Sequence, residues 1–241
     1  MCGIAGRVGP SAGSLEGSQR MVASLKHRGP DAEGFFASSG VELGMTRLAI
    51  VDVATGQQPT HDNSNSITTI FNGEIYNFLE LQNLLKSKGY TFKTNGDCEV
   101  ISNLYHCFGD SLVNYLRGMF AIAIWNQSTQ ELKLIRDRVG KKPLLYAKTH
   151  DGFVFASEAK ALIRFGISKE VNYTSLGEFF QFGYINSPKT IYSNIFSLPP
   201  ASIATIVKDS IEIKTYWKLD LSKKEQWSKS DSYERVRDSL R

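Results

Sequence analysis

A cysteine stands at position 2, directly behind the initiator methionine, and its placement could do chemistry. Initiator methionines are generally removed when the next residue is small. Removal of Met1 would leave Cys2 carrying both a thiol and a free α-amino group. A cysteine thiol titrates near ~8.5, so only a minor fraction is thiolate at neutral pH. An α-amino group titrates near ~7.7–8.0 and is substantially neutral, so it can take the thiol proton, through a water. One residue then supplies nucleophile and base. None of His27, His61, His106 and His150 stands in a cysteine-protease context, which fits a base other than imidazole. The competing reading is a chance cysteine at a frayed terminus. Gly3-Ile4-Ala5-Gly6 enters a strand at once and argues for a terminus held inside the fold.

The other two cysteines, Cys98 and Cys107, make an odd total with no Cys-x-x-Cys pair. That excludes a disulfide framework and gives no zinc-site spacing, so no metal is expected. Both fall at helix positions among apolar residues and read as buried structural thiols. With 241 residues, 41% hydrophobic and 22% charged, the chain can bury its own core. The net charge of +4 is scattered, with no dense basic block, so nucleic acid is not an expected partner. No apolar run is long enough to span a bilayer, and no basic stretch leads into an apolar leader. The expectation is a cytoplasmic chain with no membrane partner.

The elements that must position Cys2 read as mixed α and β. Residues 4–8 are a short apolar strand, 15–26 have helical spacing, and 27–31 form a Gly-Pro loop. Residues 35–38 and 41–45 read as a hairpin, and 66–71 as a β-branched strand ending at Asn72-Gly73-Glu74. Helices are predicted over 78–88, 98–108 (with Asp97 at its N-cap) and 111–116. Strands follow at 118–125, 131–136, 144–148 and 153–156, helices at 158–165 and 174–182, and a last hairpin at 202–207 and 211–216. Strands and helices come in blocks, which favours antiparallel sheets with helices on their outer faces. Residues 219–231 are polar and read as a linker, and 233–241 have weak helical spacing.

Met1-Cys2-Gly3-Ile4 followed by His27-Arg28-Gly29-Pro30-Asp31 resembles the class II glutamine amidotransferases. Arg47 to Asp52, Phe71-Asn72-Gly73-Glu74-Ile75-Tyr76-Asn77 and Gly96-Asp97-Cys98-Glu99-Val100-Ile101 extend the likeness. Gly118-Met119-Phe120-Ala121, the run from Arg136 to Leu144, the run from Phe155 to Leu162, Leu198-Pro199-Pro200 and Tyr216-Trp217 complete it and point to the asparagine synthetase branch. The resemblance implies an α+β fold, a four-layer α/β/β/α N-terminal-nucleophile hydrolase sandwich with two antiparallel sheets. It implies hydrolysis of glutamine to glutamate and ammonia through a Cys2 thioester. The oxyanion donors implied are the Asn72 amide and the Gly73 backbone N–H, with a strand end fixing both. The competing reading of Asn72-Gly73 is an ordinary turn between strands.

Arg47 offers a planar fork for the glutamine α-carboxylate, and Glu74 and Asp97 offer carboxylates for its ammonium. By resemblance the backbone of Leu48, Ala49, Ile50 and Val51 lines the same pocket. A plain strand-end charge is the competing reading for Arg47, and a helix N-cap for Asp97. Arg28 is a weaker candidate that holds the Gly-Pro loop near Cys2. Arg136-Asp137-Arg138 reads as a structural ion-pair turn that also faces a partner domain. Loops near Arg47, Gly56 and Asn72 are expected to close over glutamine.

Residues 2–217 are expected to form the glutaminase domain, and 218–241 a linker and the start of a synthetase domain absent from this chain. The sequence contains no Ser-Gly-Gly-x-Asp-Ser run and no Walker loop. No cofactor is therefore expected here, and ATP and Mg belong only to the absent synthetase domain. That domain is either C-terminal or a separate chain, and a homodimer is left open. The ammonia would amidate aspartate. The alternatives are amidation of another carboxylate, such as a sugar acid of a surface polysaccharide, and a non-catalytic glutamine-binding regulatory module.

Overall fold

The structure is a computed structural model and describes residues 1–222 and 226–240. In chain order the elements are β1 (Gly3–Val8), α1 (Glu16–Ala23), β2 (Ala32–Ser38), β3 (Val41–Arg47), β4 (Thr60–His61), β5 (Ile67–Ile75), α2 (Phe78–Lys86) and α3 (Cys98–Phe108). They continue with β6 (Gly118–Asn126), β7 (Glu131–Arg136), β8 (Leu145–Thr149), β9 (Gly152–Ala156), α4 (Ala159–Phe165) and α5 (Tyr173–Phe182). The last are β10 (Phe196–Ser197), β11 (Ser202–Val207), β12 (Ser210–Thr215) and α6 (Lys229–Ser239).

Two six-stranded sheets result, ordered β10-β8-β9-β1-β3-β2 and β12-β11-β7-β6-β5-β4. Every pairing between these strands is antiparallel. The alternation of side chains along a strand sends one set of residues between the sheets and the other set under helices. Ile4, Leu43 and Met45 of the first sheet meet Ile70, Trp125 and Leu134 of the second in the middle layer. On one outer face, Met21, Val22 and Leu25 with Ala161 and Leu162 of α4 cover Ala5, Val154 and Ala156. On the other, Leu81 and Leu85 of α2 and Val100, Ile101 and Leu104 of α3 cover Phe71, Ile75 and Ile122. Each fully buried aliphatic side chain contributes about 1.5–3 kcal/mol relative to exposure. The layers are therefore α/β/β/α, as the family resemblance implies.

Besides shifted bounds and the short strands β4 and β10, which the sequence reading lacked, three elements differ from it. β5 does not stop at Phe71 but runs to Ile75, paired with β6 through Asn72↔Ala121, Gly73↔Phe120, Glu74↔Met119 and Ile75↔Gly118. Asn72-Gly73 is thus neither a turn nor a strand end. The ladder continues because glycine stands where the strands crowd: a Cβ on Gly73 would lie 2.1 Å from the Met119 carbonyl oxygen. The predicted helix at 111–116 is a 3-10 segment, Gly109–Asn114, opened by Gly109 at φ 55°. α6 starts earlier than predicted, because Ser228 accepts a hydrogen bond from the Asp231 N–H and caps it. Within the expected linker, residues 223–225 lie outside the described residues, as does Arg241 at the end of the segment read as 233–241.

Candidate active site between the sheets

β1 starts in the middle of its sheet, between β9 and β3, and this carries Cys2 to the edge of the layer between the sheets. The terminus is pinned there. Gly3 N–H donates to Thr46 Oγ1 (3.1 Å) and Ile4 N–H to Ser157 Oγ (3.0 Å). Arg28 Nε donates to the Cys2 carbonyl (2.9 Å) and Arg28 Nη1 to Glu158 Oε1 (2.8 Å). Against partial desolvation, hydrogen bonds from Arg28, His27 and Lys160 bring the Glu158 carboxyl down to about 2. Arg28 therefore anchors Cys2, as its place in the Gly-Pro loop suggested.

The loop itself is fastened to β3. Asp31 N–H donates to the Arg47 carbonyl (3.0 Å), and Ala49 N–H donates to Asp31 Oδ2 (2.8 Å). Gly29 permits the approach, since a Cβ there would lie 2.5 Å from Arg47 backbone. The strap fixes Leu48, whose N–H lies 3.4 Å from Cys2 Sγ while Sγ–H points at the Leu48 carbonyl 3.8 Å away. Burial pushes the Cys2 thiol up. The Leu48 N–H, the N-terminal ammonium and Arg47 pull it back, and Glu74 adds to the rise.

Opposite Cys2 lies β5. Asn72 shares a strand face with Ile70, so its side chain enters the space between the sheets. It is 1% exposed, and neither Oδ1 nor Nδ2 has a hydrogen-bond partner among the described residues. A buried amide left unsatisfied at both ends is costly and calls for a ligand. The Gly73 N–H follows from the ladder. Phe120, its register partner, uses its own N–H and carbonyl on Asp137 of the other flank. Gly73 therefore points its N–H away from β6, toward the side where β4 has already ended. On that same edge Phe71 N–H is taken by Gln58 Oε1 (2.6 Å) and Ile75 N–H by Asp97 Oδ2 (3.0 Å). Gly73 N–H is left between them with no partner among the described residues.

Asp97 occupies the N-cap position of α3, but its side chain makes no capping bond. It serves β5 instead, so the competing reading of its carboxylate as a helix cap is not met. Burial pushes the Asp97 carboxyl up, opposed chiefly by the Ile75 N–H. Burial and then Asp97 also push Glu74 up, while Lys142 and the N-terminus oppose. Arg47 is only 4% exposed, and its fork is already engaged: Nη1 donates to Val53 O (3.1 Å), and Nη2 to Asp52 O (2.6 Å) and Val51 O (3.3 Å). It closes the 51–53 loop, with Nε and one Nη1 hydrogen left over.

These groups enclose a cavity of about 80 Å³. Its walls include Cys2, Arg47, Leu48, Ile50, Val51, Asn72, Gly73, Glu74 and Asp97. Ala49 does not line it, because its N–H is turned to Asp31. Gly56, from one of the loops expected to close over glutamine, also lines it, as do Met1, Gln58, Phe71, Cys98, Met119 and Lys142, which were not anticipated. Cys98 is buried as expected, yet at the cavity wall, and burial first and Asp97 second hold its thiol well above the usual range. Gln58 had a sequence signal, its place in Gly56-Gln57-Gln58-Pro59. Lys142 had only its place in Gly140-Lys141-Lys142-Pro143. No cluster of three or more His, Cys, Asp or Glu that could hold a metal occurs among the described residues. Nor is any described helix long and apolar enough to cross a membrane.

The sequence profile of the glutamine amidotransferase domain matches residues 1–217. The chain belongs to this family. The amidotransferase domain is 36% identical, over its whole length, to asparagine synthetase [glutamine-hydrolyzing] 1 of Bacillus subtilis, of which it covers 39%. It is 35% identical to a putative asparagine synthetase of Mycobacterium tuberculosis, with 88% of this chain and 36% of that protein aligned. The chain thus spans less than two-fifths of the length of these relatives. Among solved structures it is similar in fold to a glutamine phosphoribosylpyrophosphate amidotransferase from B. subtilis, with a TM-score of 0.65 at 21% identity. That likeness covers 90% of this chain and 49% of the other.

Proposed function

We propose that this amidotransferase domain hydrolyses glutamine through Cys2 and supplies the ammonia to an asparagine synthetase-type domain that amidates aspartate. One observation carries the reading: the buried Asn72 amide and the strand-edge Gly73 N–H, neither with a partner among the described residues, adjoin a thiol in a single cavity.

Removal of Met1 frees the Cys2 α-amine, which takes the thiol proton as Sγ attacks the side-chain amide carbonyl of glutamine. The Leu48 N–H beside Sγ favours the thiolate. Negative charge develops on the carbonyl oxygen, where Asn72 Nδ2 and the Gly73 N–H donate. Each such donor typically contributes about 3–4 kcal/mol. Collapse expels ammonia, which carries away the proton held by the α-amine, and leaves a γ-glutamyl thioester on Cys2. Water, deprotonated by the same amine, releases glutamate. Glu74 and Asp97 attract the glutamine ammonium. Arg47 receives the carboxylate with its remaining donors, while its bonds to residues 51–53 keep that loop shut on the cavity.

The synthetase partner is supported by relatives whose chains run well beyond the aligned region. ATP and Mg would act in that domain, not on residues of this chain. Aspartate is favoured as acceptor by the asparagine synthetase relatives; no observation favours a sugar acid. A purely regulatory glutamine-binding module would fit a disrupted nucleophile or oxyanion site, and both are intact. The test is glutamate release by the purified chain and its loss in Cys2→Ala. Wild-type turnover in Cys2→Ala would refute the proposal.

A further inference from the structure

Lys142 is a buried charge to which the glutaminase reaction as drawn assigns no task. Its side chain lines the cavity with Cys2 and Glu74, and the residue is 4% exposed. The Met1 thioether, 2.9 Å away, is the only hydrogen-bond partner of its ammonium among the described residues. No carboxylate lies within ion-pair distance of it among those residues. An ammonium so placed is costly unless it serves the site.

The Arg136-Asp137-Arg138 turn holds the backbone of this lysine. The Asp137 carboxylate, 1% exposed, accepts from the N–H groups of Phe120 (3.2 Å), Val139 (3.2 Å), Lys141 (2.8 Å) and Lys142 (3.0 Å). Arg136 Nε donates to the Lys142 carbonyl (2.9 Å) and Nη2 to that of Gly140 (2.9 Å). Both backbone groups of Lys142 are therefore fixed, and its side chain is aimed into the cavity from a rigid base. Arg138 donates to the Leu116 carbonyl (3.1 Å) and ties the turn to the loop before β6.

We propose that Lys142 is a positioning residue for the nucleophile: aimed by the Arg136-Asp137 turn, its ammonium holds positive charge against processed Cys2, favouring thiolate over thiol and neutral over protonated α-amine. Removal of Met1 takes away the one partner of the ammonium and leaves it facing Cys2. The other charges around the pair are known. Arg47 from β3 and Arg28 from the loop after α1 add to the positive field. Glu74 from β5, Asp97 from the start of α3 and Asp137 after β7 oppose it. Burial pulls the lysine down, Glu74 and Asp137 push it up, and Arg28 pulls it down.

The inference rests on Cys2 as nucleophile, but its test needs no glutamine turnover. Intact mass first establishes Met1 removal in wild type, Lys142→Met, Lys142→Gln and Lys142→Arg. The rate of iodoacetamide alkylation of Cys2, located by peptide mapping, is then followed against pH. The expected result is a midpoint about one pH unit higher in Lys142→Met and Lys142→Gln, with alkylation at pH 7 slowed several-fold. Lys142→Arg should restore the wild-type midpoint. A midpoint unmoved in either neutral variant, or moved equally in Lys142→Arg, overturns the proposal. The alkylation shift in the neutral variants, together with no glutamate release by wild type, would fail the glutaminase reading alone.

Discussion

Replacing Asn72 by alanine should separate activity from stability. In the proposed transition state Asn72 Nδ2 is one of two donors to the oxyanion, and its loss costs about 3–4 kcal/mol, or roughly a 10²–10³-fold drop in kcat. The folded protein should not suffer in parallel. The Asn72 amide is 1% exposed and has no hydrogen-bond partner among the described residues. An unsatisfied buried polar group costs about 1–3 kcal/mol, and alanine removes that cost. Loss of the amide's packing returns about 1–2 kcal/mol, by analogy with small buried truncations. The Asn72→Ala variant should therefore unfold at the wild-type temperature or slightly above. Glutamate release gives kcat and KM, thermal unfolding gives stability, and iodoacetamide alkylation confirms an unchanged Cys2. A kcat within tenfold of wild type would remove Asn72 from the oxyanion site. A melting temperature that falls with activity would make it a structural residue.

Other changes follow from the same geometry. Gly73→Ala places a Cβ 2.1 Å from the Met119 carbonyl oxygen, so the β5–β6 ladder must part and a steep loss of melting temperature is expected. Asp97→Asn keeps an acceptor for the Ile75 N–H but removes the charge, so KM for glutamine should rise at least tenfold (roughly, for a buried ion contact). Because burial raises the Asp97 carboxyl, the folded state loses stability as pH rises above the unfolded value; Asp97→Asn should therefore melt higher than wild type at pH 7, with the gain gone in acid. Glu158 has the opposite sign. Its carboxyl is lowered from 4.5 to about 2, so its stabilisation is present above the unfolded value and disappears as pH falls toward about 2. The melting-temperature gap between wild type and Glu158→Gln should close over that window. A glutamine-mimicking diazoketone should label Cys2 and spare Cys98, whose buried thiol stays protonated.

The place of Cys2 at the head of a central strand and the layer order were legible in the sequence. Cys2 stands out because a thiol and, once Met1 is removed, a terminal amine coincide there, and the middle strands read as continuous apolar runs that fit burial on both faces, as in Ile122-Ala123-Ile124-Trp125. The path of Asn72-Gly73 was not legible. Local chemistry favours a turn at that dipeptide, and only β6 running alongside, with Gly118 opposite Ile75, keeps it extended. Arg47 reads as a free fork in the sequence, yet its guanidinium is spent largely on carbonyls four to six residues downstream. Such bonds depend on the tight 51–53 loop, with Asp52 at φ 48°. Lys142 looks like one of two surface lysines until Asp137 gathers the backbone N–H groups of the turn and buries it. Cys98 and Gln58 reach the cavity because α3 and the 56–59 loop converge on the open edge of β5, a long-range outcome that no local pattern carries.

Attack of Cys2, freed of Met1, on glutamine can be trapped by acid quench of the chain during turnover, followed by mass analysis of the N-terminal peptide. The expected peptide begins at Cys2 and carries a γ-glutamyl thioester. Glutamine hydrolysis by a chain that retains Met1, or an unmodified Cys2 during steady turnover, would contradict it.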